Sequence, residues 1–215
     1  MPSRMSSAAS LPARQWLPAI VCLSPLVPAI LMPGTGILIS ILILVVALAL
    51  FKSARAATLA MVWKKPWLSI LVGMVMGGLL AVGTAEVMRP LIEGWLGTNV
   101  DTSGLDAVAG NIGIAIFTTV IALASAAIEE VLFRGFVIGW GAKIFGKGAV
   151  PLLIVISSAS FGMAHAYGLS GAVVTGLIGL ALAVLYQLCG RRLLPCIAAH
   201  MMFNLIGSVA LYYAS

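Results

Sequence analysis

The sequence predicts an all-α fold, a polytopic membrane bundle of about seven transmembrane helices with its N-terminus inside and its C-terminus outside. Three observations carry this. Of the 215 residues 62% are hydrophobic and only 8% charged, whereas soluble globular domains average about 25% charged. Mean hydropathy is +1.16, and stretches of about 20 apolar residues, each able to cross a hydrocarbon core of about 30 Å, recur along the chain. Finally, Lys and Arg gather in alternate connections.

Residues 16–32 form the first apolar segment, interrupted by Pro18, Pro25 and Pro28 and preceded by Arg4 and Arg14. It resembles a secretory leader, but no small-x-small cleavage site follows and further spans do, so it reads as a retained helix. After the turn Pro33-Gly34-Thr35-Gly36 comes the span 37–51, then the most basic connection, with Lys52, Arg55, Lys64 and Lys65. Span 67–88 follows, with Trp63 and Trp67 suited to the interface. The next connection carries Glu93, Asp101 and Asp106 but only Arg89 as a base, so it is expected outside. The remaining spans are 107–140, 149–165, 170–188 and 194–213, separated by Lys143/Lys147, a short turn and Arg191/Arg192. Alternating sides puts every basic connection inside, which gives the N-in, C-out topology. No soluble domain is left over; residues 1–106 hold three spans without a diagnostic motif, and residues 107–215 hold the polar groups within one integral membrane domain.

The net charge of +6 reflects inside loops and not a nucleic-acid surface. Cys22, Cys189 and Cys196 sit in or beside apolar segments with no metal-ligand or Cys-x-x-Cys spacing, and read as packing residues. Methionine and glycine in spans 67–88 and 170–188 read as helix packing.

An ionisable side chain near the centre of a membrane helix costs about 2.5–3.5 kcal/mol on insertion scales, so such residues mark function. Both histidines, His165 and His200, and the adjacent acids Glu129 and Glu130 fall inside apolar spans. Glu130 and Arg134 share a helix face and suit an ion pair. Glu129 is turned about 100° away, free for other work. With a rise of about 1.5 Å per residue from the basic loops, Glu129 and Asn204 lie at a depth of about 18 Å, His200 at about 12 Å and His165 at about 24 Å, one band of the bilayer. His200 and Asn204 share a face of the last span.

A carboxylate with an imidazole positions and deprotonates a water; a second imidazole with an amide donates to an oxyanion. That equipment suits amide hydrolysis. Ser157, Ser158 and Ser160 near His165 are better explained by backbone and interhelical hydrogen bonding.

Three segments, Glu129-Glu130-Val-Leu-Phe-Arg134, Phe161-Gly-Met-Ala-His165 and His200-Met-Met-Phe-Asn204, match the patterns EExxxR, FxxxH and HxxxN in order and in successive spans. Together they resemble the CPBP (CAAX protease and bacteriocin-processing) family, which includes the Ras-converting type of CAAX endopeptidase. The resemblance covers about residues 107–213. It implies an intramembrane endopeptidase in which Glu129 is the general base, His165 helps hold the attacking water, and His200 and Asn204 stabilise the oxyanion. Glu130, Arg134 and Phe161 support the site, and no metal or other cofactor is required. By ligand type, a zinc site from Glu129, His165 and His200 stays open.

The expected partners are the bilayer and a membrane-embedded or lipidated protein or peptide substrate, with no nucleic acid. The location is a plasma membrane of bacterial inner-membrane type. The bond cleaved lies near the C-terminus or membrane segment of a membrane-associated or exported protein. The alternatives are a non-catalytic immunity or regulatory protein of the same fold, which the complete set of site residues argues against, and a proton-coupled transporter, against which the lack of internal repeats argues.

Overall fold

The structure, a computed structural model, describes residues 16–214; Arg4 and Arg14 lie outside them. It is helical, with no strand among the described residues. Eleven α-helices run in order: α1 (Trp16–Leu23), α2 (Leu26–Leu31), α3 (Gly36–Leu50), α4 (Lys52–Thr58), α5 (Pro66–Gly83), α6 (Arg89–Leu96), α7 (Ile112–Glu130), α8 (Gly141–Phe145), α9 (Val150–Met163), α10 (Gly168–Leu188) and α11 (Leu193–Tyr212). A π-helical turn, Thr84–Met88, joins α5 to α6, and a longer π-helical stretch, Val131–Trp140, joins α7 to α8.

All seven apolar segments expected from the sequence are helical, but they differ in reach. Four continuous helices are long and apolar enough to cross a membrane: Pro66–Leu96, Ile112–Phe145, Gly168–Leu188 and Leu193–Tyr212. A fifth is reached if Gly36–Leu50 and Lys52–Thr58, bent by 115°, count as one broken span. Trp16–Leu31 and Lys147–Met163 are shorter. The first of these is interrupted at Ser24-Pro25, a turn that the proline favours because it lacks an N–H for the helical ladder. Their outward faces are largely apolar, as in Leu38, Leu42, Leu79, Phe117, Val120, Leu152 and Leu188, and this is a surface for lipid. The protein is an integral membrane protein.

The two ends of the bundle are each tied by backbone bonds. At one end the Ala60 and Met61 carbonyls accept from the Leu193 and Leu194 amides, both at 2.9 Å, which brings the Lys64/Lys65 and Arg191/Arg192 connections together. At the other, Gly34 donates to the Ala164 carbonyl, Asp101 to Tyr167 and Gly110 to Tyr212, gathering the turn 33–35, the loop after α6 and both ends of the α9–α10 connection.

The basic segment after α3 is more than a loop. Its first part is α4, a short helix whose Ala54, Ala57 and Thr58 are buried. Arg55 Nη1 reaches back to the Leu48 and Ala49 carbonyls at 2.5 and 2.9 Å, filling acceptors left open at the end of α3. α4 lies against the π-helical stretch at two glycines: a Cβ on Gly135 would collide with Thr58, and one on Gly139 with the Tyr186 hydroxyl, close to Ala57.

That stretch is the hub of the molecule. Every residue from Leu132 to Trp140 is buried. Leu132, Phe133, Phe136 and Trp140 pack into a core with Cys22, Leu26, Leu44 and Phe161, while Ile138 belongs to a second core with Leu153, Leu182, Tyr186 and Leu193. Apart from Arg134 the stretch is apolar on all sides, as suits a helix buried on all sides, and a wider π-helical turn offers more side chains per turn to both cores. Cys22, Cys189 and Cys196 are free and buried, as expected of packing residues.

Small residues bring α5 against α11. Ser69, Gly73, Gly77 and Ala81 recur every four residues and form the buried face of α5. A Cβ on Gly73 would collide with Pro195 and Ala198, and one on Gly77 with the Ala199 backbone. This close backbone approach is how membrane helices associate without a hydrophobic driving force. It also joins the first half of the chain to the helix that carries His200.

Gly77→Leu is therefore expected to separate α5 from α11 and lower stability by about 1–3 kcal/mol or more, the range for overpacking. Gly78→Ala, where nothing lies within 4 Å of the added Cβ, serves as the neutral control. The unfolding midpoint of both variants in mixed micelles checks this.

Candidate functional site

Glu129 and Glu130 end α7, and the π-helical stretch starts immediately after them. Departures from α-helical geometry of this kind gather at functional sites. Here the two adjacent carboxylates are sent in different directions.

Glu130 is fully buried. Its Oε1 accepts from Arg134 Nη1 at 2.8 Å and from His200 Nδ1 at 2.9 Å. Arg134, also buried, donates from Nη2 to the Gly179 carbonyl of α10 at 2.8 Å, and its guanidinium lies over the Phe161 ring, 4.6 Å from the centroid. A Cβ on Gly179 would press on Phe161, so the glycine admits both the ring and the guanidinium. Glu130 Oε2 and Arg134 Nε have no partner among the described residues. The network thus ties α7, α10 and α11 to one buried pair.

Glu129 faces a cavity of about 830 Å³ whose lining also includes His165, Tyr167, His200 and Asn204. Its side chain is 12% exposed, and Oε2 stands 3.9 Å from His200 Nε2, outside hydrogen-bond range. Oε1 accepts from the Ser125 hydroxyl at 2.5 Å. The carboxylate was expected to be unpaired; Ser125, one turn earlier on the same face, corrects that. The i, i+4 spacing of Ser125 and Glu129 was the available signal.

His200 lies between the two acids, with Nδ1 on Glu130 and Nε2 toward Glu129. His165 follows the end of α9, and its Nδ1 donates to the Phe161 carbonyl at 2.7 Å. A carbonyl only accepts, so the proton is on Nδ1 and Nε2 is the acceptor of the neutral ring. Phe161 is the common wall: its ring meets Phe133 edge-on at 5.1 Å, His165 at 4.9 Å and His200 at 5.7 Å between centroids. Asn204, one turn beyond His200, donates from Nδ2 to the Ala122 carbonyl of α7 at 3.1 Å, which engages one of its two amide hydrogens.

All seven residues singled out from the sequence meet here. Glu129, His165, His200 and Asn204 line the cavity together with Phe161, while Glu130 and Arg134 stand behind it. The sequence placed Glu129 and His200 in one band of the bilayer, and their side chains face each other at 3.9 Å. Ser157 donates to the Phe133 carbonyl at 3.0 Å and Ser160 to Ile156 at 2.7 Å, the backbone roles expected of them, whereas the buried Ser158 hydroxyl, expected to do the same, has no partner among the described residues. Tyr167 was not singled out; its ring stacks on His165 with centroids 5.6 Å apart.

The cavity runs from Phe133 and His200 to Val108 and Ala214, at the end of the bundle away from the Lys64 and Arg191 connections. Apolar side chains such as Ile121, Ile178, Phe203 and Leu211 make most of its wall. Among the described residues, no group of three or more His, Cys, Asp or Glu side chains is arranged to hold a metal ion.

Residues 111–206 match the family model described as "Type II CAAX prenyl endopeptidase Rce1-like". The match covers just under half of the chain and includes all three motifs. No curated protein and no solved structure matches.

Arg134→Met strands the Glu130 carboxylate in an apolar core, and the expected loss is about 3–5 kcal/mol, the range for removing one member of a buried pair. Adding Glu130→Gln should recover most of it. Unfolding of the single and double variants in mixed micelles measures both, and equal losses would refute a coupled pair.

Proposed function

We propose that this chain is an intramembrane protease of the CAAX type, as the family match over residues 111–206 supports, and that it hydrolyses its substrate as a glutamic endopeptidase with Glu129 as general base. The observation that carries the reading is the division of the acidic pair: Glu129 opens on the cavity, whereas Glu130 is closed off by Arg134 and His200.

In this mechanism a water sits between the Glu129 carboxylate and His165 Nε2, donating one hydrogen to each. Glu129 takes a proton as the water oxygen attacks the peptide carbonyl carbon. The carbonyl oxygen becomes an oxyanion that His200 and Asn204 stabilise. Collapse breaks the C–N bond, the Glu129 proton passes to the departing amine, and a carboxylic acid and an amine leave. His200 donates to Glu130 from Nδ1, so donation from Nε2 as well requires the imidazolium, whose charge the flanking carboxylates balance. Asn204 has one amide hydrogen left for the oxyanion. No metal or other cofactor enters the scheme.

The substrate we infer is a membrane-embedded or lipidated protein or peptide cleaved near its C-terminus or membrane segment, which the apolar lining of the cavity supports. By the positive-inside rule the end bearing Lys64, Lys65, Arg191 and Arg192 is cytoplasmic. Counting α1–α2, the bent α3–α4 pair and α9 as crossings then gives seven spans, N-in and C-out, in a membrane of bacterial inner-membrane type.

The test compares C-terminal processing of membrane and exported proteins in cells carrying the wild type or Glu129→Gln, with and without chelator. Loss of a general base is expected to slow processing by about 10²–10⁴-fold, and Asn204→Ala by about 10²–10³-fold if it serves the oxyanion. Chelation should change neither. Inhibition by chelator would overturn the metal-free mechanism. Identical processing by both strains would replace catalysis with a binding role, such as immunity or regulation.

A further inference from the structure

Tyr167 is a cavity-lining polar side chain that the mechanism leaves unused. It lies in the turn between α9 and α10, two residues after His165, and three contacts fix it there. Its carbonyl accepts from the Asp101 amide at 3.0 Å. Its ring stacks on His165, 5.6 Å between centroids at 30°. Its Cβ occupies the space that a side chain at Gly171 would need. Ring and imidazole are thus held as one unit at the cavity wall. The hydroxyl has no hydrogen bond among the described residues, and partial burial, followed by the Glu129 carboxylate, pushes the phenol above its ordinary range. It stays protonated and is a donor. The buried Tyr186 packs against Gly139, outside the cavity lining.

The acceptor follows from the chemistry. The attacking water already gives its hydrogens to Glu129 and His165, and a donor to its oxygen would occupy the lone pair that attacks carbon. The group in the cavity that gains negative charge is the carbonyl oxygen. We propose that Tyr167 is a further catalytic residue, whose phenolic hydroxyl donates a hydrogen bond to the carbonyl oxygen of the scissile bond as it becomes an oxyanion. The assignment rests on the peptidase reading above.

The test uses the full-length protein in proteoliposomes with a quenched fluorescent peptide ending in a farnesylated CAAX sequence. Tyr167→Phe keeps the stack and removes only the hydroxyl. The expected result is a fall in kcat of about 10²-fold, with KM within about twofold of wild type and an unchanged unfolding midpoint. A kcat within about twofold of wild type, or a change confined to KM, overturns the assignment. If wild type and Glu129→Gln leave the peptide equally intact, the peptidase reading fails for this substrate. A second measurement then decides alone: with 3-fluorotyrosine incorporated, the ¹⁹F resonance that Tyr167→Phe removes should titrate at lower pH in Glu129→Gln. An unmoved titration would put the hydroxyl out of reach of Glu129 and overturn the assignment on geometry.

Discussion

The arrangement around the cavity depends on the Glu130–Arg134 pair. Two opposite charges in an apolar bundle are tolerated only when each has partners of its own. Those partners come from three other places in the chain: Gly179 of α10, Phe161 of α9 and His200 of α11. One pair thereby fixes the relative positions of the helices that supply the site. It also holds the orientation of His200, because Nδ1 is committed to Glu130 and Nε2 is left facing Glu129. Glu129 is free of structural duty because its neighbour performs it.

The pair in turn relies on the π-helical stretch. Its residues are shared between the two cores, so its position is set from both sides. Gly135 and Gly139 let α4 and Tyr186 close on it. The first half of the chain, which supplies none of the seven residues singled out from the sequence, holds the second half in place through α4 on this stretch and through the Gly73/Gly77 face on α11.

Much of this was legible in the sequence because lipid is an undemanding solvent to read. Apolar length located all seven helical segments, and the rarity of charge within them singled out Glu129, Glu130, His165 and His200. The i, i+4 rule found Arg134 for Glu130. What stayed hidden depends on local winding and on contacts across the chain. The π-helical stretch has the composition of any buried span, so its winding could not be read from it. The 115° bend after α3 turned an expected basic loop into a packed helix. Tyr167 belongs to a residue type common at the ends of membrane helices, and only the fold shows that it lines the same cavity as Glu129.

The shape of the cavity bears on how a hydrolytic centre in hydrocarbon is kept wet. In the proposed reaction each turnover consumes a water molecule that lipid cannot supply. Thr118, Ser125 and Glu129 descend one side of α7, and Asn204 and Ser208 on α11 belong to the same cavity wall. Its far end lies among Thr102, Val108 and Ala214, beside the loop that follows α6. These hydroxyl and amide groups form a hydrophilic ladder from the rim of the bundle to the carboxylate. In the proposed scheme that ladder offers the reactant a route from the face opposite the basic loops, separate from the lipid surface.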